Sequence, residues 1–286
     1  MNEIGSRIYV ATDYALVTVG AVLTDAGWVC VDTPPYPRDA HAWRDALARV
    51  SPLPIQYLIN TDHHRDRILG NVWFDGTVVA HTRSAEAMLG LRSGFVSQAA
   101  EEMSANDNEL VEIASLKTVP PQISYSESLR IECGGREFLL NYRPCTSGGN
   151  TWVTLAEDRV VFAGDSVVTG QHPVITESSS KAWLNALVSL RQERYSGWTI
   201  VPGRGRIEPI SRSELLSDYL RVARRRITSL LRAERPRSEI ASLMAEFMSL
   251  FPYDHKHKDD VIRRVKIGLE AIYEELRDSH DEEIDA

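Results

Sequence analysis

The chain has 286 residues, 43% of them apolar, a formal net charge of -8 and three cysteines, with a pI near 5.5, which supplies the core of one large domain or two ordinary ones. No apolar run approaches membrane-spanning length, and the opening Met1-Asn2-Glu3-Ile4-Gly5 has neither the basic nor the apolar part of a signal peptide. Cys30, Cys133 and Cys145 are odd in number and far apart, so the expectation is a cytoplasmic protein with no disulfide framework and no membrane partner, and the acidic balance ranks nucleic acid low.

From Ile8 to Asp32 the runs IYVAT, YALVTVGAVLT and WVCVDT read as paired strands, the last two joined by a turn at Asp25-Ala26-Gly27. Asp32-Thr33-Pro34-Pro35 breaks the sheet. His41 to Val50 has apolar residues at helical spacing and stops before Pro52 and Pro54, with His41 on the helix surface. Ile55 to Asn60 is a short β-rich run, and Thr61 or Asp62 is expected to cap a helical turn beginning near His63. Asp62, His63, His64, Asp66 and Arg67 therefore crowd the C-terminal end of a strand, where α/β folds gather ligands. The bland alternative is a solvated polar loop.

Thr77 to Ala80 gives another strand, ending at His81, which is read as structural. Ser84 to about Leu116 reads as helix and then loop, and Leu129 to Tyr142 as a hairpin with Gly134-Gly135 at its tip. Trp152 to Leu155 and Arg159 to Asp165 are two more strands, and Lys181 to Leu190 is an amphipathic helix. Helices follow at Glu214 to Arg235, from Pro236, and at Lys258 to Leu276. The arginine-rich face of the first, with Arg221, Arg224, Arg225, Arg226 and Arg232, reads as solvated. His255 and His257 read as an exposed loop pair, and Asp278 to Ala286 as a frayed acidic end.

Four blocks, in this order, carry a resemblance. They are Asn60-Thr61-Asp62-His63-His64-Arg65-Asp66-Arg67-Ile68-Leu69-Gly70-Asn71, Pro144-Cys145-Thr146-Ser147-Gly148-Gly149-Asn150-Thr151, Val160-Val161-Phe162-Ala163-Gly164-Asp165 and Val201-Pro202-Gly203-Arg204-Gly205. Together they resemble the metallo-β-lactamase superfamily, whose motifs are N-T-H-x-H-x-D-H-x-x-G-N, P-G-H-T-x-G-D/N-T, V-L-F-x-G-D and V-P-G-H-G. The resemblance covers about Ile8 to Arg206. It implies an α/β (α+β) fold, an αββα sandwich, which two strand-rich halves each covered by helices would also suit. The expected division is a sandwich domain over 1–210, a C-terminal helical extension over 211–278 and an acidic tail over 279–286.

The resemblance also implies a dinuclear ligand set, and here most of it is replaced. The first metal's positions hold Asp62, His64 and Thr146, the second's hold Asp66, Arg67 and Arg204, and the bridging aspartate is Asp165. Arginine stays protonated and offers donors only, so Arg67 and Arg204 would repel a cation. Their fixed charge would instead neutralise Asp62, Asp66 and Asp165 through charge-assisted hydrogen bonds. No cofactor is therefore the favoured expectation. The alternative is at most one divalent metal, zinc, iron or manganese, on Asp62, His64 and Asp165, with Thr146 a poor fourth ligand. Cys145 would lie at the pocket mouth as a weak candidate nucleophile.

Three functional readings follow. The favoured one is a pseudo-hydrolase whose pocket presents Arg67, Arg204, Arg143 and Thr146 to an anionic small molecule or a regulatory partner. A second is a mononuclear metal-dependent hydrolase on Asp62, His64 and Asp165, with Asp66 orienting or deprotonating the attacking water. A third is a metal-independent enzyme in which Arg67 and Arg204 hold a carboxylate or phosphate and His64 or Asp66 moves a proton. The C-terminal helices either pack on the sandwich or make a homodimer interface.

Overall fold

A computed structural model describes residues 1–284 except Ala15, Ala105 and Ser178. Its first sheet has seven strands, β1 (Asn2–Gly5), β2 (Ile8–Ala11), β3 (Val19–Leu23), β4 (Trp28–Val31), β5 (Ile55–Ile59), β6 (Thr77–His81) and β7 (Ile123–Tyr125), in sequential order. β1 to β4 pair antiparallel, and β4 to β7 pair parallel. The second sheet holds β8 (Ser128–Cys133), β9 (Arg136–Tyr142), β10 (Thr151–Leu155), β11 (Val160–Phe162) and β12 (Thr199–Val201), ordered β12-β11-β10-β9-β8, with only the β11–β12 pair parallel. β1, β7 and β12 have three or four residues each, too short to show a period, and were not expected from the sequence.

The parallel strands are joined by helices, because a parallel pair needs a long crossover. Those on the first sheet's side are α1 (Pro37–Val50), α2 (Arg65–Ile68), α3 (Thr82–Leu89), α4 (Phe95–Met103) and α5 (Asp107–Ala114). On the other side lie α6 (Ser180–Leu190), α7 (Ser213–Arg232), α8 (Met244–Met248) and α9 (Lys258–Ile284). α1 starts earlier than its apolar spacing suggests because Pro37 fits a helix's first turn. α9 runs through most of the stretch read as the tail; residues 285 and 286 lie outside those described.

Three apolar layers make the sandwich. Between the sheets, Val22, Val29, Val31, Ile59 and Val79 meet Phe138, Leu140, Val153 and Phe162. Gly20 permits the close approach, since a Cβ there would lie 2.1 Å from the Phe162 ring. Outside the first sheet, Trp43 and Leu47 of α1 cover Trp28, Cys30, Leu58 and Val78. Outside the second, Trp183 and Leu187 of α6 join Trp152, Val161 and Ile200, and Tyr219, Leu220, Val265, Leu269 and Ile272 of α7 and α9 continue the same cluster. The C-terminal helices thus pack on the sandwich. Strands buried on both faces explain why β3, β4 and β10 read as unbroken apolar or β-branched runs.

Candidate active site

β4, β5, β11 and β12 all deliver side chains to one end of the sandwich. After β5, Asn60 and Asn71 lock the turn: Asn60 Nδ2 donates to Arg67 O (3.1 Å) and Asn71 Oδ1 (3.1 Å), and Asn71 Nδ2 donates back to Asn60 Oδ1 (2.8 Å). Thr61 O accepts from Thr151 N at 2.8 Å, which ties this turn to the other sheet. α2 begins at Arg65, so its N-cap is His64 rather than Thr61 or Asp62. Asp62 caps instead through a short local bond, Oδ1 accepting His64 N at 2.8 Å.

The structure brings Asp62, His64, Asp66, Arg67, Asp165 and Arg204 into one buried cluster. Asp165 is bracketed, Oδ1 by Arg67 Nη2 and Oδ2 by Arg204 Nε at 3.0 Å. Arg67 Nε lies 3.2 Å from Asp62 Oδ1, an ion pair without the alignment of a hydrogen bond. Both terminal nitrogens of Arg67 reach Gly203 O at 3.4 Å. Arg204 Nη1 contacts Asp66 Oδ2 and Leu16 O, each at 2.5 Å. His64 Nδ1 is 2.9 Å from Asp62 Oδ2 and 3.7 Å from Asp165 Oδ2, and its Nε2 is 2.9 Å from Thr176 Oγ1.

Asp32, at the end of β4, is a fourth carboxylate that the sequence reading treated only as a strand breaker. It accepts Thr61 N (2.8 Å) and Thr61 Oγ1 (2.6 Å), and Arg67 Nη1 stands 3.5 Å from its Oδ2. Burial drives its pKa up to about 7, against the pull of Arg67. For Asp62 burial works the same way, yet His64 and Arg67 outweigh it and hold the carboxyl well below its usual range. Asp66 is likewise lowered, burial being overcome by Arg204 and then Arg67. Burial alone would lower the His64 pKa, but Asp62, Asp165 and Asp66 leave it raised. Four carboxylates thus face two guanidinium groups, and burial pushes one of the four, Asp32, toward its neutral form.

Arg143 stays out of the cluster: Nη1 donates to Tyr142 O at 2.8 Å and the guanidinium lies 5.2 Å over the Trp152 ring. Thr146 borders it through its carbonyl, which accepts Thr176 N (3.3 Å) and Glu177 N (3.2 Å). Cys145 is not at the mouth. It is buried against Trp152 and Val161, and burial pushes its thiol up to about 12, which removes it as a nucleophile. His81 is structural, with Nδ1 accepting Arg83 N at the start of α3 and the ring stacked on Tyr142. Thr176 and Arg264 were missed. Arg264, half-buried on α9, reaches Gln171 Oε1 and His172 O at 3.4 Å, and its pKa is lowered by burial and by Arg204.

The ligand atoms of Asp62, His64 and Asp165 lie within 4.8 Å of one another, and these donors suit one divalent ion by type. A dinuclear centre does not fit. Two of its positions carry donor-only guanidinium groups that already grip the carboxylates a second ion would need.

A family model described as the metallo-beta-lactamase superfamily matches residues 14–204. No curated protein matches the chain. Among solved structures, a metallo-beta-lactamase family protein from Thermus thermophilus is 19% identical, with a TM-score of 0.67 over 96% of this chain and 94% of its own. The inverting sec-alkylsulfatase Pisa1 from Pseudomonas sp. is 14% identical, with a TM-score of 0.69 over 96% of this chain and 49% of its own. A beta-lactamase domain protein from Burkholderia ambifaria is 14% identical, with a TM-score of 0.63 over 95% of this chain and 86% of its own. At these identities the likeness is one of fold.

Proposed function

The chain belongs to the metallo-β-lactamase superfamily, and from that premise we propose that it is a pseudo-hydrolase, with its dinuclear chemistry dismantled, that binds an anionic small molecule or partner at the mouth of the site. The bracketing of Asp165 by Arg67 and Arg204 carries this reading. Each guanidinium supplies fixed positive charge against carboxylates without an exchangeable ion. Both arginines are essentially fully buried, at 0% and 1% exposure, so they set the local field rather than meet a ligand. Contact falls to Arg264, which is only half-buried and close enough to feel the charges of Arg204, Asp66 and Asp165. Arg204 Nη2 and Asp66 Oδ1, without hydrogen-bond partners among the described residues, leave further polar capacity within the cluster.

The test is elemental analysis of dialysed, untagged protein, beside a His255→Ala/His257→Ala variant that removes the exposed histidine pair. No stoichiometric metal in folded protein is expected. About one equivalent of metal that vanishes with His64→Ala would overturn the reading. It would favour a mononuclear hydrolase instead, the second reading, for which the Asp62, His64 and Asp165 grouping speaks. An ion there would supply Lewis-acid polarisation of a substrate oxygen.

A further inference from the structure

His64 has a neighbour that dinuclear chemistry does not use. Its ring links Asp62 Oδ2 (2.9 Å, at Nδ1) to Thr176 Oγ1 (2.9 Å, at Nε2). Asp62 is ion-paired with Arg67 and so only accepts, which places the hydrogen between it and the ring on Nδ1. In the neutral ring Nε2 then carries the lone pair, and the hydrogen facing it is the Thr176 hydroxyl's own. Asp62 is fully buried and His64 8% exposed, whereas Thr176 faces solvent. The Thr176 and Glu177 N–H groups both donate to Thr146 O, which fixes the loop. The hydroxyl's other acceptor, Thr146 O, is farther away at 3.4 Å.

We propose that Asp62, His64 and Thr176 form a metal-free nucleophilic unit that takes an acyl group from an activated ester onto Thr176 Oγ1. Oγ1 attacks the ester carbonyl carbon while its proton passes to His64 Nε2. The bond from that carbon to the leaving oxygen then breaks, and the leaving oxygen takes the proton back from Nε2. The products are an ester on Thr176, the free alcohol and a neutral imidazole. Asp62 is the positioning residue, holding the ring and its tautomer. Nearby backbone donors are already engaged, with Gly148 N on Glu177 Oε2 at 2.7 Å. The unit is therefore expected to acylate slowly and to stop at the ester.

This goes beyond the pseudo-hydrolase reading and needs neither a bound anion nor a metal. The test treats full-length protein with p-nitrophenyl acetate in the presence of EDTA and maps acetyl groups by peptide mass spectrometry. Acetylation of Thr176 is expected, retained in Thr176→Ser and lost in Thr176→Ala, a solvent-facing change that spares the fold. His64→Gln should slow it by about 100-fold or more. Acetyl groups confined to lysines, labelling of Thr176 indifferent to His64→Gln, or labelling that requires added metal would overturn the proposal. Labelling is read in EDTA and metal content on protein without it, so the two readings fail separately.

Discussion

Arg67 is the residue on which the site's electrostatics turn. It touches or approaches Asp32, Asp62 and Asp165 from a fully buried position. Removing one partner of a buried ionic network leaves the others desolvated and uncompensated, which costs about 3–5 kcal/mol. Arg67→Ala should therefore lose about that much in urea unfolding. Arg67→Lys should recover only part, because one ammonium cannot span several carboxylates as a fork does. A loss in Arg67→Ala below about 1 kcal/mol would mean that the carboxylates are neutralised by other means. The chemical character of this arginine was legible in the sequence. Two of its three partners were legible, since Asp62 and Asp165 stand in motif blocks, but Asp32 sits in Asp32-Thr33-Pro34-Pro35, which reads as a strand terminator.

At the scale of elements, the site is a meeting of strand ends. β11 ends just before Gly164-Asp165, and β12 just before Gly203-Arg204. Gly203 N donates to Gly164 O at 2.8 Å, so the two ends lie backbone to backbone. A Cβ on Gly203 would sit 2.5 Å from both Asp165 Oδ1 and the Gly164 carbonyl carbon. Gly203→Ala must push these ends apart and is expected to cost about 1–3 kcal/mol. An unchanged urea midpoint would count against this account. The parallel β11–β12 pair also explains why β12 escaped sequence reading. Three residues, Thr199–Val201, carry no period of their own, and what makes them a strand is a partner some forty positions earlier in the chain.

For the whole molecule, the boundary expected near residue 210 does not coincide with an edge of the core. Trp183, Leu187 and Leu190 share one buried cluster with Tyr219, Leu220, Leu269 and Ile272. A fragment ending at residue 210 would leave the outer face of the second sheet and α6 bare of α7 and α9. It should lose cooperative unfolding and solubility, as followed by circular dichroism through a urea series. A 1–210 fragment that unfolds cooperatively near the full-length midpoint would instead make the extension a separate unit. Arg264 brings α9 near the site as well as the core, since the charges of Arg204, Asp66 and Asp165 act on it.

The sequence by itself determined the sandwich, the order of its motif blocks and the arginines at two positions where the resembled motifs carry histidines, since each of these is written in contiguous residues with a fixed chemistry. Only the tertiary structure decided that Asp32, Thr176 and Arg264 belong at the site and that Cys145 does not. The reason is physical. Asp32 ends one strand, Thr176 lies on a loop before α6 and Arg264 projects from the last helix; the first two touch the His64 cluster and the third feels its charges, through packing between elements distant in the chain. Local periodicity reports which face of an element is apolar. Which elements share an end of the sandwich is set by the pairing of strands and the close packing of layers, which no local spacing records.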